Sequence, residues 1–308
     1  MNDVRQNSPK AWLLAARPKT LSGAIIPVLL GSALAYSDGR IHVLTALLCA
    51  LFACLMQIAA NFVNDWYDFS KGTDREDRLG PERACAQGWI TPKAMKRAVG
   101  IVIIVACIVG LAVLFTEQEG MAWHGLELFI VGLLCVVFCI LYTTCLSYLG
   151  LGDVLVLLFF GIIPVCGTYY VQAHTLSWSC FILSLVSGIC IDTLLIVNNY
   201  RDRDQDRISG KRTIIVRFGE PFGRYAYLLL GVIAVLLSSL LIHYGKISIM
   251  GYVLSAGPYL VLHILTWKRM VRINHGKELN SILGQNSRNM LLFGILLSIA
   301  IVVMGVGC

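Results

Sequence analysis

Two stretches of this sequence gather oxygen-bearing side chains at the spacing of a helix face. In the first, Gln57, Asn61, Asn64 with Asp65, and Asp68 recur every three or four residues, which places them on one side of an α-helix. In the second, Asn198, Asp202 and Asp206 repeat at every fourth position. Hard oxygen donors so arranged suit magnesium, which is held by one or two carboxylates together with substrate phosphates. Two facing carboxylate groups could hold about two or three such ions around a diphosphate, and the ions would stabilise a departing pyrophosphate. Lys71, Arg75, Arg78, Arg83, Lys211 and Arg212 follow closely in the chain and suit the remaining phosphate oxygens. Charges that merely pair in solvent would explain one such cluster. They do not explain two, each led by Asn and each rooted in an apolar segment.

Those apolar segments decide the architecture. Of 308 residues, 57% are hydrophobic and 14% charged, against about 25% charged in ordinary soluble domains. The charges are bunched, so residues 20–37, 41–64, 98–115, 128–152, 154–191, 225–242 and 289–308 contain no Asp, Glu, Lys or Arg. Each stretch reaches the roughly 18 residues that mark a membrane-spanning helix. The 154–191 stretch is long enough for two spans, divided at Gln172-Ala173-His174-Thr175, and another fits 248–267. The chain therefore reads as one all-α, polytopic membrane domain over residues 1–308, with about nine transmembrane helices. A short segment at 11–17 leads into Pro18; Pro27, Pro164 and Pro258 fall inside spans and are expected to bend them. Charged inner loops are expected over 66–97, 201–224 and 268–288.

Basic residues set the orientation. With the N-terminus cytoplasmic, only Arg40 and Lys246 of the 25 Lys and Arg fall in the outer loops, near 38–40, 117–124, 174 and 243–246. This positive-inside bias puts both acidic clusters on the cytoplasmic face and the C-terminus outside. Both clusters then end helices that run inward. The helix dipole disfavours carboxylates at such ends and favours a cation. The net charge of +7 belongs to this inner rim and its anionic lipids, and nothing points to nucleic acid. No signal-peptide core is present. The 11 cysteines form no CxxC pair and read as packing residues.

At the acidic clusters the chain resembles the UbiA-type intramembrane prenyltransferases, and among them the menaquinone branch that prenylates 1,4-dihydroxy-2-naphthoate. The resemblance rests on Arg17-Pro18-Lys19-Thr20-Leu21 and on Asn64-Asp65-x-x-Asp68-x-x-x-Gly72-x-Asp74. It continues through Arg78-x-Gly80-Pro81-x-Arg83, Gly150-x-Gly152-Asp153 and Phe159-Phe160-Gly161. It ends on Asn198-Asn199-x-Arg201-Asp202-x-x-x-Asp206-x-x-x-Gly210-Lys211-x-Thr213. Gly72 stands where the wider family often has a third Asp, and the displaced carboxylate, Asp74, is similar to the menaquinone branch.

The resemblance implies a UbiA-like bundle around a central cavity in the cell inner membrane. It implies magnesium on Asp65, Asp68, Asp202 and Asp206, with Asn61, Asn64 and Asn198 as neutral ligands or orienters. Arg83, Lys211 and Arg212 would bind diphosphate, supported by Asp74, with Arg17, Lys19 and Tyr142 among the substrate-binding residues. Polyprenyl diphosphate and dihydroxynaphthoate would be the substrates, with carbon dioxide and pyrophosphate leaving. Trp66, Tyr67, Tyr142, Tyr169 and Tyr170 could shield an allylic cation, although aromatics at membrane interfaces are ordinary anchors. Asp192 is a carboxylate within a span, either functional or bonded to a neighbouring Thr. Competing readings are another aromatic acceptor, such as 4-hydroxybenzoate or homogentisate, or a transporter. A transporter's site would sit near mid-membrane.

Overall fold

The computed structural model describes residues 4–72, 78–117 and 120–306, and all regular structure among them is helical. Among the described residues nine segments are long and apolar enough to cross a membrane, so this is a multi-pass membrane protein. They are span 1 (Pro9–Ser37), span 2 (Val43–Ser70), span 3 (Pro92–Thr116), span 4 (Leu126–Leu146) and span 5 (Gly152–Ala173), followed by span 6 (Trp178–Ile208), span 7 (Glu220–His243), span 8 (Ile249–Ile273) and span 9 (Leu279–Gly305). Each packs on its neighbours in the chain, and span 9 closes on span 1. The result is a ring.

Local signals explain the boundaries. Ser8 caps a short lead helix by accepting the Ala11 N–H, and the helix stops where Arg17 adopts a left-handed backbone before Pro18. Ser177 and Ser248 cap spans 6 and 8 in the same way. The charged inner loops are shorter than expected. Span 2 runs on to Ser70, span 6 to Ile208 and span 8 to Ile273, while span 9 starts at Leu279. A helix supplies its own backbone hydrogen bonds, so it can leave the hydrocarbon without unwinding. It ends where positive φ is available, at Gly72, Gly210 and Asn274.

Enclosure around the ring is uneven. Within its most apolar window, span 6 is 72% buried, whereas spans 2, 3 and 4 are 11%, 17% and 6% buried. Span 6 owes this to contacts with spans 1, 5, 7 and 9. It approaches span 5 closely where Gly161 lies in a widened turn, Leu158–Ile162, just before Pro164. A Cβ on Gly161 would stand 2.6 Å from the Ser184 carbonyl oxygen and 2.8 Å from Gly188 Cα. Such small-residue contacts let helix backbones touch inside a bilayer. At the end of the bundle away from the acidic clusters, Asp38 accepts from the Tyr169 hydroxyl at 2.6 Å and pairs with Lys246. One of the two cations expected in the outer loops is thereby neutralised.

The Gly161 contact generates a test of the packing. Gly161→Val should force spans 5 and 6 apart, at a cost of about 1–3 kcal/mol. A lower melting temperature of the detergent-solubilised protein is expected; an unchanged one would contradict this contact.

Candidate active site

Spans 1 to 6 and the start of span 9 line a cavity of about 1150 Å³, to which spans 7 and 8 contribute nothing. One end is polar and takes Asn64, Asp68, Asn198, Asp202, Asp206 and Lys211 from both clusters. The other is apolar, with Phe52, Met56, Leu114, Phe138 and Phe159 in its wall. The two motifs, more than a hundred residues apart in sequence, therefore open into one space.

Two links bring them together. Arg201, directly before Asp202, grips both Asp202 oxygens at 2.7 and 2.6 Å and donates to Asn198 Oδ1 at 2.7 Å. Its remaining nitrogen donates to Asn280 Oδ1 at 2.8 Å, and Asn280 donates to the Leu79 carbonyl at 2.7 Å. The segment following the first cluster is thus tied to the second through span 9. Lys71 and Lys211, from the ends of spans 2 and 6, both stand over the Tyr148 ring, at 5.1 and 5.5 Å. The Tyr67 hydroxyl pushes the Lys71 pKa up, so this cation stays charged. Arg83 closes the first cluster by pairing with Asp68 at 2.7 Å, and Lys211 stands 3.7 Å from Asp206.

These charges are shielded from bulk solvent. Arg201 is 2% exposed, Arg83 6%, Asp206 8% and Asp68 9%, a degree of burial that charged groups tolerate only when paired. Asn64 is held for the cavity by the Thr143 hydroxyl, which donates to its Oδ1 at 2.6 Å. The donors facing the cavity are carboxylate and carboxamide oxygens, the chemistry magnesium takes. Among the described residues no three acidic, His or Cys side chains converge as a ready-made metal site. An ion here would complete its shell with phosphate oxygens and water.

Several expected roles change. Asp65 does not line the cavity: its two oxygens accept the Ala84 and Cys85 N–H groups at 2.8 and 2.9 Å, leaving it 1% exposed. It anchors the loop that carries Arg83, and both its oxygens are engaged in doing so. Asn61 is likewise committed elsewhere, donating to the Ala16 carbonyl and Thr20 hydroxyl at 2.9 and 3.0 Å. It fastens the start of span 1. Arg212 is exposed and absent from the cavity wall, because the backbone bond from its N–H to the Tyr148 carbonyl turns this residue outward. Asp74 and Arg75 lie outside the described residues. Arg17, Lys19, Arg78 and Tyr142 do line the cavity. Of the five aromatics considered as cation shields, only Tyr142 does; Tyr169 and Tyr170 bond instead to Asp38 and Glu127 at the other end.

The sequence reading passed over Arg201 as a site residue, because a pairing between adjacent residues leaves no trace in helical periodicity. It also assigned no role to Asp153, which lines the cavity. Its signal was a lone carboxylate at the start of an apolar stretch.

Comparison with known proteins agrees with this geometry. Residues 24–283 match the UbiA prenyltransferase family. A 1,4-dihydroxy-2-naphthoate octaprenyltransferase of Escherichia coli (strain K12) is 39% identical over 75% of this chain and 76% of its own length. Its counterpart in Haemophilus influenzae is 34% identical over 96% of both chains. A solved structure of a UbiA homolog from Archaeoglobus fulgidus bound to GPP and Mg2+ superposes with a TM-score of 0.66 at 13% identity, covering 95% of this chain and 99% of that one.

The reassignment of Asp65 can be checked without substrate. Asp65→Asn replaces one acceptor oxygen with a donor facing a backbone N–H, at a cost of about 1–3 kcal/mol. The metal-free protein should melt at a lower temperature. A residue serving only to bind metal would leave the metal-free melting temperature unchanged.

Proposed function

The chain belongs to the UbiA prenyltransferase family, and from that membership we propose that it transfers a polyprenyl group from polyprenyl diphosphate to 1,4-dihydroxy-2-naphthoate. Carbon dioxide and pyrophosphate are released, and the product is a precursor of menaquinone. The observation that carries this reading is the joint opening of both acidic helix ends into one cavity that grades from charged rim to apolar depth. A diphosphate on a polyprenyl chain has the same polarity along its length. The naphthoate as acceptor is supported by the similarity to the dihydroxynaphthoate octaprenyltransferases over most of the chain.

The residues divide the work. Asp68, Asp202 and Asp206, with Asn64 and Asn198, offer hard oxygens at the rim. Lys71, Arg78, Arg83 and Lys211 stand beside them and are suited to phosphate oxygens. Magnesium, about two or three ions by the count of available carboxylates, supplies charge neutralisation and Lewis-acid stabilisation of the leaving pyrophosphate. Arg83 and Arg201 compensate the carboxylates of the ligand-free protein and keep them pointed at the cavity. The apolar wall holds the prenyl chain and excludes water from the carbon that loses diphosphate. The positive-inside distribution of Lys and Arg supports a cytoplasmic position of this rim, in the inner membrane.

The test is prenyl transfer by the purified protein, supplied with geranyl diphosphate and each of dihydroxynaphthoate, 4-hydroxybenzoate and homogentisate. Transfer to dihydroxynaphthoate alone is expected, and chelation of magnesium should abolish it. Asp68→Ala and Asp202→Ala should each lower turnover by at least about 100-fold. Turnover that survives chelation, or a preference for another acceptor, would overturn the assignment.

A further inference from the structure

The rim holds a protein cation on oxygens that a metal ion would also use. Arg201 donates from Nε to Asp202 Oδ1 at 2.7 Å and from Nη2 to Asp202 Oδ2 at 2.6 Å. Nη2 also donates to Asn198 Oδ1 at 2.7 Å. All three residues line the cavity, so one guanidinium shares three oxygens of the second cluster with any ion bound there. Across the cavity Arg83 stands in the same relation to Asp68, at 2.7 Å. Asp192, deeper in span 6, adds no donor. It does not line the cavity, and the Thr193 hydroxyl beside it donates instead to the Cys190 carbonyl at 2.6 Å.

The position of Arg201 is built in. Gly80 lies against it: a Cβ there would stand 2.9 Å from Nη2 and 3.4 Å from Cζ. Nη1 donates to Asn280 Oδ1 at 2.8 Å, and Asn280 donates to the Leu79 carbonyl at 2.7 Å. The Arg201 side chain is left 1% exposed, while that of Asp202 keeps 19%. The carboxylate therefore fronts the cavity with the guanidinium behind it. A divalent ion on Asp202 would stand within a few ångströms of that guanidinium, and like charges so close repel strongly where water is excluded. A diphosphate changes the balance. The guanidinium fork fits phosphate oxygens as well as it fits a carboxylate, and the added negative charge offsets both cations.

We propose that Arg201 competes with the metal ion for Asp202 and Asn198, and that an incoming diphosphate relieves the competition by accepting the guanidinium. The inference rests on the function proposed above, which supplies the metal and the diphosphate. Arg201 neutralises the carboxylate against its apolar surroundings, and the same grip holds metal affinity low until the substrate brings its own charge. Such coupling is reciprocal: the factor by which diphosphate tightens metal binding is the factor by which metal tightens diphosphate binding. Lewis acidity is thereby confined to a site that already contains the group to be expelled.

Manganese, visible by electron paramagnetic resonance, reports metal binding without turnover in the purified full-length protein and in Arg201→Lys and Arg201→Gln. Arg201→Lys keeps the charge but loses the planar fork that grips both Asp202 oxygens. Without diphosphate it should bind manganese at least about fivefold more tightly than the unsubstituted protein. Arg201→Gln also removes the charge and should bind it at least about tenfold more tightly. At saturating manganese, both variants should hold labelled inorganic pyrophosphate at least about fivefold more weakly. Manganese affinity that is unchanged or lowered in Arg201→Lys would make Arg201 an orienter of Asp202 and overturn the proposal. Undiminished pyrophosphate binding in that variant would overturn it as well. Arg201→Lys decides alone if Arg201→Gln does not fold. Failure of an unsubstituted protein with these binding properties to prenylate dihydroxynaphthoate would instead sink the function proposed above.

Discussion

Charge compensation at low dielectric is the constraint on which the rest of this structure depends. Carboxylates sheltered at a membrane rim are tolerated only when each has a partner, and here the partners are Arg83 and Arg201. Neither arginine reaches its position alone. Arg83 is delivered by a loop whose backbone is held on Asp65, and Arg201 is braced by Asn280, which in turn holds the Leu79 carbonyl. Folding of the loop and assembly of the acidic rim are therefore one event. The loop cannot be displaced without leaving buried charge exposed to an apolar surround.

Much of this was legible in the sequence because hydropathy and helical periodicity report directly on burial and on which residues share a face. The number of spans, the division at residues 172–175 and the convergence of Asp68 with Asp202 and Asp206 all follow from those two signals. What they do not report is which of two adjacent residues points inward. Asn64 and Asp65 are consecutive, and only the structure shows that Asn64 faces the cavity while Asp65 faces the loop. The same ambiguity hid Arg201 beside Asp202 and misplaced Arg212 beside Lys211. Asn61 shares the face of Asn64, but the turn at Arg17–Thr20 lies over it and takes its hydrogen bonds. Tertiary neighbours cannot be read from the period of one helix.

The polar features fall into separate tiers. Asp38, Lys246 and Tyr169 close the end away from the acidic clusters among themselves, and Asn286, Tyr227 and Thr193 satisfy one another between spans 6, 7 and 9. These groups are spent on holding helices together. Asp153, whose Oδ1 has no hydrogen-bond partner, lines the cavity instead.

The uneven enclosure of the ring bears on traffic. A greasy product several times longer than its aromatic head cannot leave through a rim crowded with ion pairs without dragging hydrocarbon past them. Span 4 lines the cavity too, and it packs only lightly on spans 2 and 3. Parting span 4 from them sacrifices little packing, and lipid tails would cover whatever is uncovered. A quinol tail released past span 4 would remain in hydrocarbon throughout.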